Sequence, residues 1–166
     1  TEARREVVEM KVALPRLALI YRMPKFADPD FDAAEMAMQV LGDGMSSRLS
    51  RALVTNADPL CVSADAAVQE LEDGGIMGAT AMLLEGKDVG AVEKVMREQI
   101  KLLRDTAVSP EELEKAKQQQ RLALATRFET AEQVTGDLGE TLEEYGSLER
   151  VKTARARLEA LTAADV

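Results

Sequence analysis

The chain has 166 residues, 46% apolar and 31% charged, which suits one soluble domain with a sizeable core. Its 21 Lys plus Arg face 30 Asp plus Glu, a formal charge of −9 that repels phosphate backbones and anionic membranes and argues against a nucleic-acid partner. There is no His, which removes Ser-His-Asp, Cys-His and His-ligated zinc arrangements from this chain, and no apolar run approaches the roughly 20 residues of a membrane-spanning helix.

Residues 1–6 read as a polar linker without the basic-then-apolar layout of a signal peptide, so the expectation is a piece of a longer protein. Residues 6–11 alternate loosely and predict a first strand. Residues 17–23 (LALIYRM) form a denser apolar run, predicting a strand buried on both faces, with Pro24 as its end. Asp28-Pro29 offers an N-cap with Pro in the first helical position. Phe31, Ala34, Met38 and Leu41 then recur at spacings of three and four, the buried face of one helix. Asp30 and Asp32 lie near its positive end and read as capping charges.

Next comes a glycine-broken turn. Gly42 and Gly44 are free to take positive φ and so stop the first helix. Ser46 or Ser47 caps a second, short helix that places Leu49 and Leu53 on one stripe. Residues 60–71 and 76–84 predict two strands joined by Glu72-Asp73-Gly74-Gly75, a strong signal for an antiparallel hairpin. Cys61, the single cysteine, reads as a small apolar filler between Leu60 and Val62 and rules out an internal disulfide.

Asp88 opens a helix with Val89, Val92, Met96, Ile100 and Leu103 on one face. Ser109, Pro110 and Glu112 form a capping box for the next, which runs through Leu113, Ala116, Gln120, Leu124 and Phe128. Gly136 and Gly139 break it or mark close packing, and a last helix covers residues 148–161. Met36, Met38, Met77, Met82 and Met96 read as core filling. Glu111-Glu112 and Glu143-Glu144 are adjacent on helices, so they do not face each other and read as solvated charges. Strand pairs followed by a run of helices predict an α+β fold, an antiparallel sheet with helices packed on one face.

Four stretches carry a resemblance. Pro24 to Phe31 (PKFADPDF) is similar to a "P…-D-x-D" lead into a first helix. Leu41 to Val54 (LGDGMSSRLSRALV) resembles a glycine-containing loop followed by an "SRL-x-x-x-L" helix. Ser109 to Lys117 (SPEELEKAK) is similar to a "T/S-x-E-E-L-x-x-A-K" helix start, and Leu161 to Val166 (LTAADV) to a "T-x-x-D-V" helix start. Together, in this order, they resemble the pitrilysin/insulinase-type zinc metallopeptidases, which include the mitochondrial processing peptidases and their bacterial relatives.

The resemblance implies an α/β roll, with residues 1–166 forming the single C-terminal, non-zinc domain of a longer chain. Domains of that family usually close with a strand after the T-x-x-D-V start, so a last strand is expected to be missing here, leaving a sheet edge open to pairing. Zinc in that family is held by H-x-x-E-H and a distant Glu of the N-terminal domain. No cofactor is therefore expected in this chain, and zinc is expected in the missing N-terminal domain of the parent.

Active assemblies of the family also place an Arg, and seven residues later a Tyr, after the SRL helix start, where they can hold substrate and stabilise an oxyanion. Here Val54 and Cys61 stand at those two positions, and neither can act so. Arg51 is three residues early. Bacterial relatives that work as two chains put the zinc motif on one and the Arg/Tyr pair on the other. This chain thus resembles the second domain of the zinc-bearing partner, with a second homologous subunit supplying the pair.

Gly42, Gly44, Met45, Ser47 and Arg48 are the candidate substrate or domain-interface residues, by likeness to the glycine-rich loop of processing peptidases. Arg48 is expected to pair with a carboxylate or a backbone carbonyl rather than to grip substrate. The function so implied is a non-catalytic domain that helps form the peptide chamber of a zinc endopeptidase, inactive by itself. The competing readings are a structural subunit descended from the same fold and an unrelated α+β module. The partners implied are the N-terminal zinc domain, the second subunit and a peptide substrate, and an exported, periplasmic setting is favoured over a cytoplasmic or mitochondrial one.

Overall fold

The computed structural model of the protein describes residues 3–26, 28–71 and 74–166. Among these residues three strands form the sheet: β1 (Arg16–Met23), β2 (Cys61–Leu71) and β3 (Gly74–Leu83), in the order β1-β3-β2 and antiparallel throughout. The β2–β3 hairpin is present as the sequence predicts, pairing Leu71 with Gly74. Its turn residues Glu72 and Asp73 lie outside the described residues. A bulge between Cys61 and Ser63 leaves Val62 as the extra residue of β2.

Among the described residues there are six helices: α1 (Phe31–Gly42), α2 (Arg48–Leu53), α3 (Val89–Asp105), α4 (Pro110–Thr126), α5 (Ala131–Tyr145) and α6 (Glu149–Ala160). Helices α1 and α2 pack over β2, α3 packs over β3, α4 lies against α1, and α6 lies against α4. Leu41, Leu49, Leu53, Leu83, Val92 and Met96 are fully enclosed between helices and sheet. Each contributes about 2 kcal/mol by leaving water. The Leu49/Leu53 stripe and the α3 face with Val92 and Met96 therefore hold the helix layer on the sheet. The result is the α+β arrangement expected of the sequence.

Local signals explain most boundaries. The Ser109 hydroxyl accepts the Glu112 N–H while the Glu112 carboxylate accepts the Ser109 N–H, a complete capping box for α4. Thr130 and Gln133 repeat it for α5, which ends at Gly146 with φ +64. Asp88 caps α3 through Ala91 N–H at 2.9 Å. Lys117, almost fully enclosed, donates to the carbonyls of Glu159 (2.9 Å) and Leu161 (2.7 Å) and so satisfies the C-terminus of α6.

Several expectations need correction, among them the reach of α4, which ends at Thr126 and does not include Phe128. Residues 6–11 form no strand: they pair with no neighbour, and Val7, Val8, Met10 and Val12 stand 60–82% exposed. A strand exists only by its ladder, so alternation without a partner remains irregular chain. Strand β1 is not buried on both faces. It is an edge strand in which Leu19 and Met23 are buried while Ile20 and Arg22 face solvent, because an antiparallel sheet with one helix layer leaves its other face open. Helix α1 begins at Phe31, not Pro29. Asp28 is used in a turn ahead of it, its carboxylate accepting Lys25 N–H (2.8 Å) and its carbonyl Phe31 N–H (3.2 Å), while Asp30 stands at the cap without a side-chain bond. Gly136 and Gly139 neither break a helix nor mark close packing: both lie inside α5 with open space where a Cβ would be.

Candidate functional site: the glycine turn and the open sheet face

The turn between α1 and α2 is built from both glycines, in different ways. Gly44 has φ +77 and reverses the chain. Gly42 instead is the last residue of α1 and is pressed on β2, where a Cβ would fall 1.9 Å from the Ala66 backbone nitrogen. Its lack of a side chain serves helix–sheet contact rather than a positive φ. Ser47 is the cap of α2, its hydroxyl accepting Ser50 N–H at 3.3 Å, and it is buried.

Helix α4 then fastens the turn along one of its faces. Arg48 meets Glu112 in a two-bond fork, Nε to Oε1 at 3.0 Å and Nη2 to Oε2 at 2.7 Å, and Arg51 adds a third bond at 3.1 Å. Lys115 bonds the Ser46 hydroxyl and Gln119 the Asp43 carboxylate. The Arg48 fork, then the Ser109 N–H and the charge of Arg51, hold the Glu112 carboxyl down at about 2 against the opposing pull of burial. Arg48 is thus occupied by a carboxylate. Met45 is the exposed large apolar side chain of the turn, 70% exposed.

Val54 has an aliphatic side chain, and the Cys61 thiol is buried. Val54 is the C-cap of α2 and donates its N–H to the Ser50 carbonyl at 2.9 Å. Cys61 is buried at the start of β2 opposite Leu83, and burial pushes its thiol up. Arg51 donates to the Glu112 carboxylate at 3.1 Å. Among the described residues no group of three or more Cys, Asp or Glu converges as a metal cluster, and the sequence has no His to ligate zinc. Met36, Met38 and Met96 are core, and Met77 packs against it. Met82 departs from that reading, being half-exposed on the far side of the sheet from Ala81 and Leu83.

That far side is the feature the sequence reading missed. Alternation puts Leu19, Ala64, Ala79, Ala81 and Leu83 against the helices, and turns the other set outward. The register lays this outer set in rows: Ile20, Gly78 and Ala67 in one, Ala18, Thr80 and Asp65 in the next, Arg16, Met82 and Ser63 beyond. Ile20 is 55% exposed, and Val62 at the bulge 48%. A Cβ on Gly78 would lie 2.7 Å from the Ile20 Cδ1 atom, so the isoleucine lies flat across the glycine. The middle of the face holds the small residues Gly78, Ala18, Ala67 and Thr80 beside Ile20, while Arg16, Arg22 and Asp65 are its charged groups and Arg22, Ile76 and Gln69 form a further row. The missed signal was the small, uncharged outward set of β3: Gly78, Thr80 and Met82.

Comparison with known proteins adds a consistent picture. The family described as peptidase M16 inactive domain matches residues 1–120. No curated protein sequence matches. A solved structure from Bordetella pertussis Tohama I, described as a zinc protease, is 26% identical and superposes with a TM-score of 0.82, covering 94% of this chain and 85% of that one. The inactive peptidase domain of a protein so described from Bordetella parapertussis is 24% identical with a TM-score of 0.84, over 96% and 86% of the two chains. A periplasmic protease of Escherichia coli shares the fold at 12% identity and a TM-score of 0.75, over 94% of this chain but 17% of its own.

Proposed function

The chain belongs to the peptidase M16 inactive-domain family, and we propose that its open sheet face serves as a wall of the peptide chamber of a zinc endopeptidase whose metal is held in another domain of the parent. The domain itself is non-catalytic. The observation that carries the chamber reading is the bare outer face of β1-β3-β2, where Ile20 and Val62 are exposed around Gly78, Ala18, Ala67 and Thr80. An unfolded peptide offers apolar side chains and unpaired backbone groups. The small and apolar residues at the middle of this face offer contact area to such a chain without demanding one sequence, with Arg16, Arg22 and Asp65 as the charges around them.

On this reading the residues expected of the parent divide among its parts. An upstream domain supplies the histidines and carboxylate that bind zinc and activate water. A second homologous subunit supplies the Arg and Tyr that Val54 and Cys61 replace here. The turn with Gly42, Gly44, Met45, Ser47 and Arg48 serves as a fixed rim, since α4 holds it, and Met45 is its contact with substrate or a neighbouring domain. An exported setting fits this assembly, and among the described residues no helix is long and apolar enough to cross a membrane.

A photo-crosslinking residue placed at Thr80 in the parent, assembled with its partner, tests the proposal. Capture of an unfolded peptide at Thr80, and not at Glu98 on the exposed side of α3, is the expected result. Cleavage activity lost on chelation but no capture at Thr80 or Ile20 would refute the wall assignment while leaving the peptidase parent intact.

A further inference from the structure

Strand β1 brings charge of one sign to the open face. Arg16 and Arg22 stand outward on it with Ala18 and Ile20 between them, and all four are exposed. Among the described residues neither guanidinium has a carboxylate partner. The arginines of α2 and α3, by contrast, are all tied to carboxylates: Arg48 and Arg51 to Glu112, Arg97 to Glu93 and Arg104 to Asp105. In a chain of net charge −9, two uncompensated cations therefore share one strand of one face.

The other side of the face is different. Strand β2 turns Ser63, Asp65, Ala67 and Gln69 outward, so the charge it presents there is negative. Between them β3 offers Ile76, Gly78, Thr80 and Met82. The face is thus polarised across its strands, cationic on β1, neutral on β3 and anionic on β2.

Spacing adds a second constraint. Outward positions of a strand recur every two residues, so Arg16 and Arg22 lie roughly 20 Å apart and Ile20 about 7 Å from Arg22. Ile20 lies flat over Gly78 and forms an apolar shelf beside that arginine. An extended chain laid on a sheet face runs within about 30° of its strands, as the strands of packed sheets do, and has the same two-residue repeat. A chain following β1 therefore sets every second side chain over Arg16, Ala18, Ile20 and Arg22 in turn.

Resting on the reading of this face as a chamber wall, we propose that β1 selects acidic substrates: extended peptides with two acidic residues six positions apart and an apolar residue two positions from one of them. The carboxylates take the Arg16 and Arg22 guanidinium groups, and the apolar side chain rests on the Ile20–Gly78 shelf. Lysine at the same positions meets like charge and is disfavoured. Because both arginines are solvated, the effect is a graded preference rather than an absolute one.

Three peptides with the same apolar centre and Glu, Gln or Lys at the two flanking positions test this in the parent, assembled with its partner and carrying the photo-crosslinker at Thr80. Half-maximal capture should need about threefold less of the Glu peptide than of the Gln peptide, with the Lys peptide weakest. The advantage of Glu should shrink as salt rises to about 1 M. Arg16→Gln combined with Arg22→Gln should remove the difference between the Glu and Gln peptides while the Gln peptide is captured as before. Equal capture of all three peptides, or an acid preference that persists in the double variant, would overturn the proposal and leave the wall assignment standing. Failure to capture any of the three at Thr80 would sink the wall assignment and this proposal together.

Discussion

The Arg48 guanidinium and the Glu112 carboxylate, 64 positions apart in the chain, meet in a fork with bonds of 3.0 and 2.7 Å. Arg48 belongs to the first turn of α2, where a cation is poorly placed for the helix dipole, and Glu112 to the first turn of α4, where an anion is well placed. The contact therefore joins two helix starts and fixes the glycine turn to the α4 surface. Because the pair is mostly shielded, removing one partner leaves the other poorly solvated. Arg48→Ala should lower stability by about 2 kcal/mol in urea unfolding, with Arg48→Lys recovering only part, since an ammonium cannot make the fork. A loss under about 0.5 kcal/mol would show the pair to be as weak as an exposed one.

The same carboxyl sets a pH dependence. Glu112 is held at about 2 in the folded chain against 4.5 for its ordinary value. A carboxyl lowered on folding contributes stability that is complete above its unfolded value and lost as pH falls toward the folded one. The stability curve should therefore fall between about pH 4.5 and pH 2 more steeply in the native sequence than in Glu112→Gln. Parallel curves in chemical unfolding across that window would contradict the assignment.

Glycine substitutions should separate by position. Gly42→Ala drives a Cβ to 1.9 Å from the Ala66 nitrogen and should cost about 3 kcal/mol or more. Gly44→Ala at φ +77 should cost about 1–2 kcal/mol through backbone strain. Gly136→Ala and Gly139→Ala, in open helical positions, should each stabilise by about 0.5–1 kcal/mol. Thermal unfolding of the four variants reads the order directly. A destabilised Gly136→Ala would mean that α5 is not helical there.

What could be read from the sequence was what neighbours in the sequence decide. The Ser109–Glu112 box, the Asp88 cap, the Leu49/Leu53 stripe and the β2–β3 hairpin each depend on residues within a few positions of one another. What could not be read depends on distant partners. The strand expected at residues 6–11 has the right alternation but no ladder. Gly42 answers to Ala66, 24 positions on, and Arg48 to Glu112. The open sheet face was hidden because alternation shows which residues share a side, not whether a second layer covers it.

Asp32 makes the same point and gives the last test. Its place in the first turn of α1 is what a capping charge requires, yet its oxygens are taken by Arg150 Nη2 at 2.7 Å and Arg157 Nε at 2.6 Å, both from α6. Arg157 also donates to the Arg150 carbonyl and the Thr153 hydroxyl, and the Arg150 guanidinium lies 4.3 Å from the Phe26 ring centre. This cluster clamps α6, and through the Lys117 bonds α4, against the start of α1. Asp32→Asn keeps size and N-terminal placement but removes the charge that two guanidinium groups share. It should cost about 2 kcal/mol and raise amide exchange in α6 well before α3. If the dipole alone mattered, the loss would be no more than about 0.5 kcal/mol and the exchange in α6 would be unchanged. The relative exchange of α6 and α3 therefore decides between a local cap and a clamp that spans the domain.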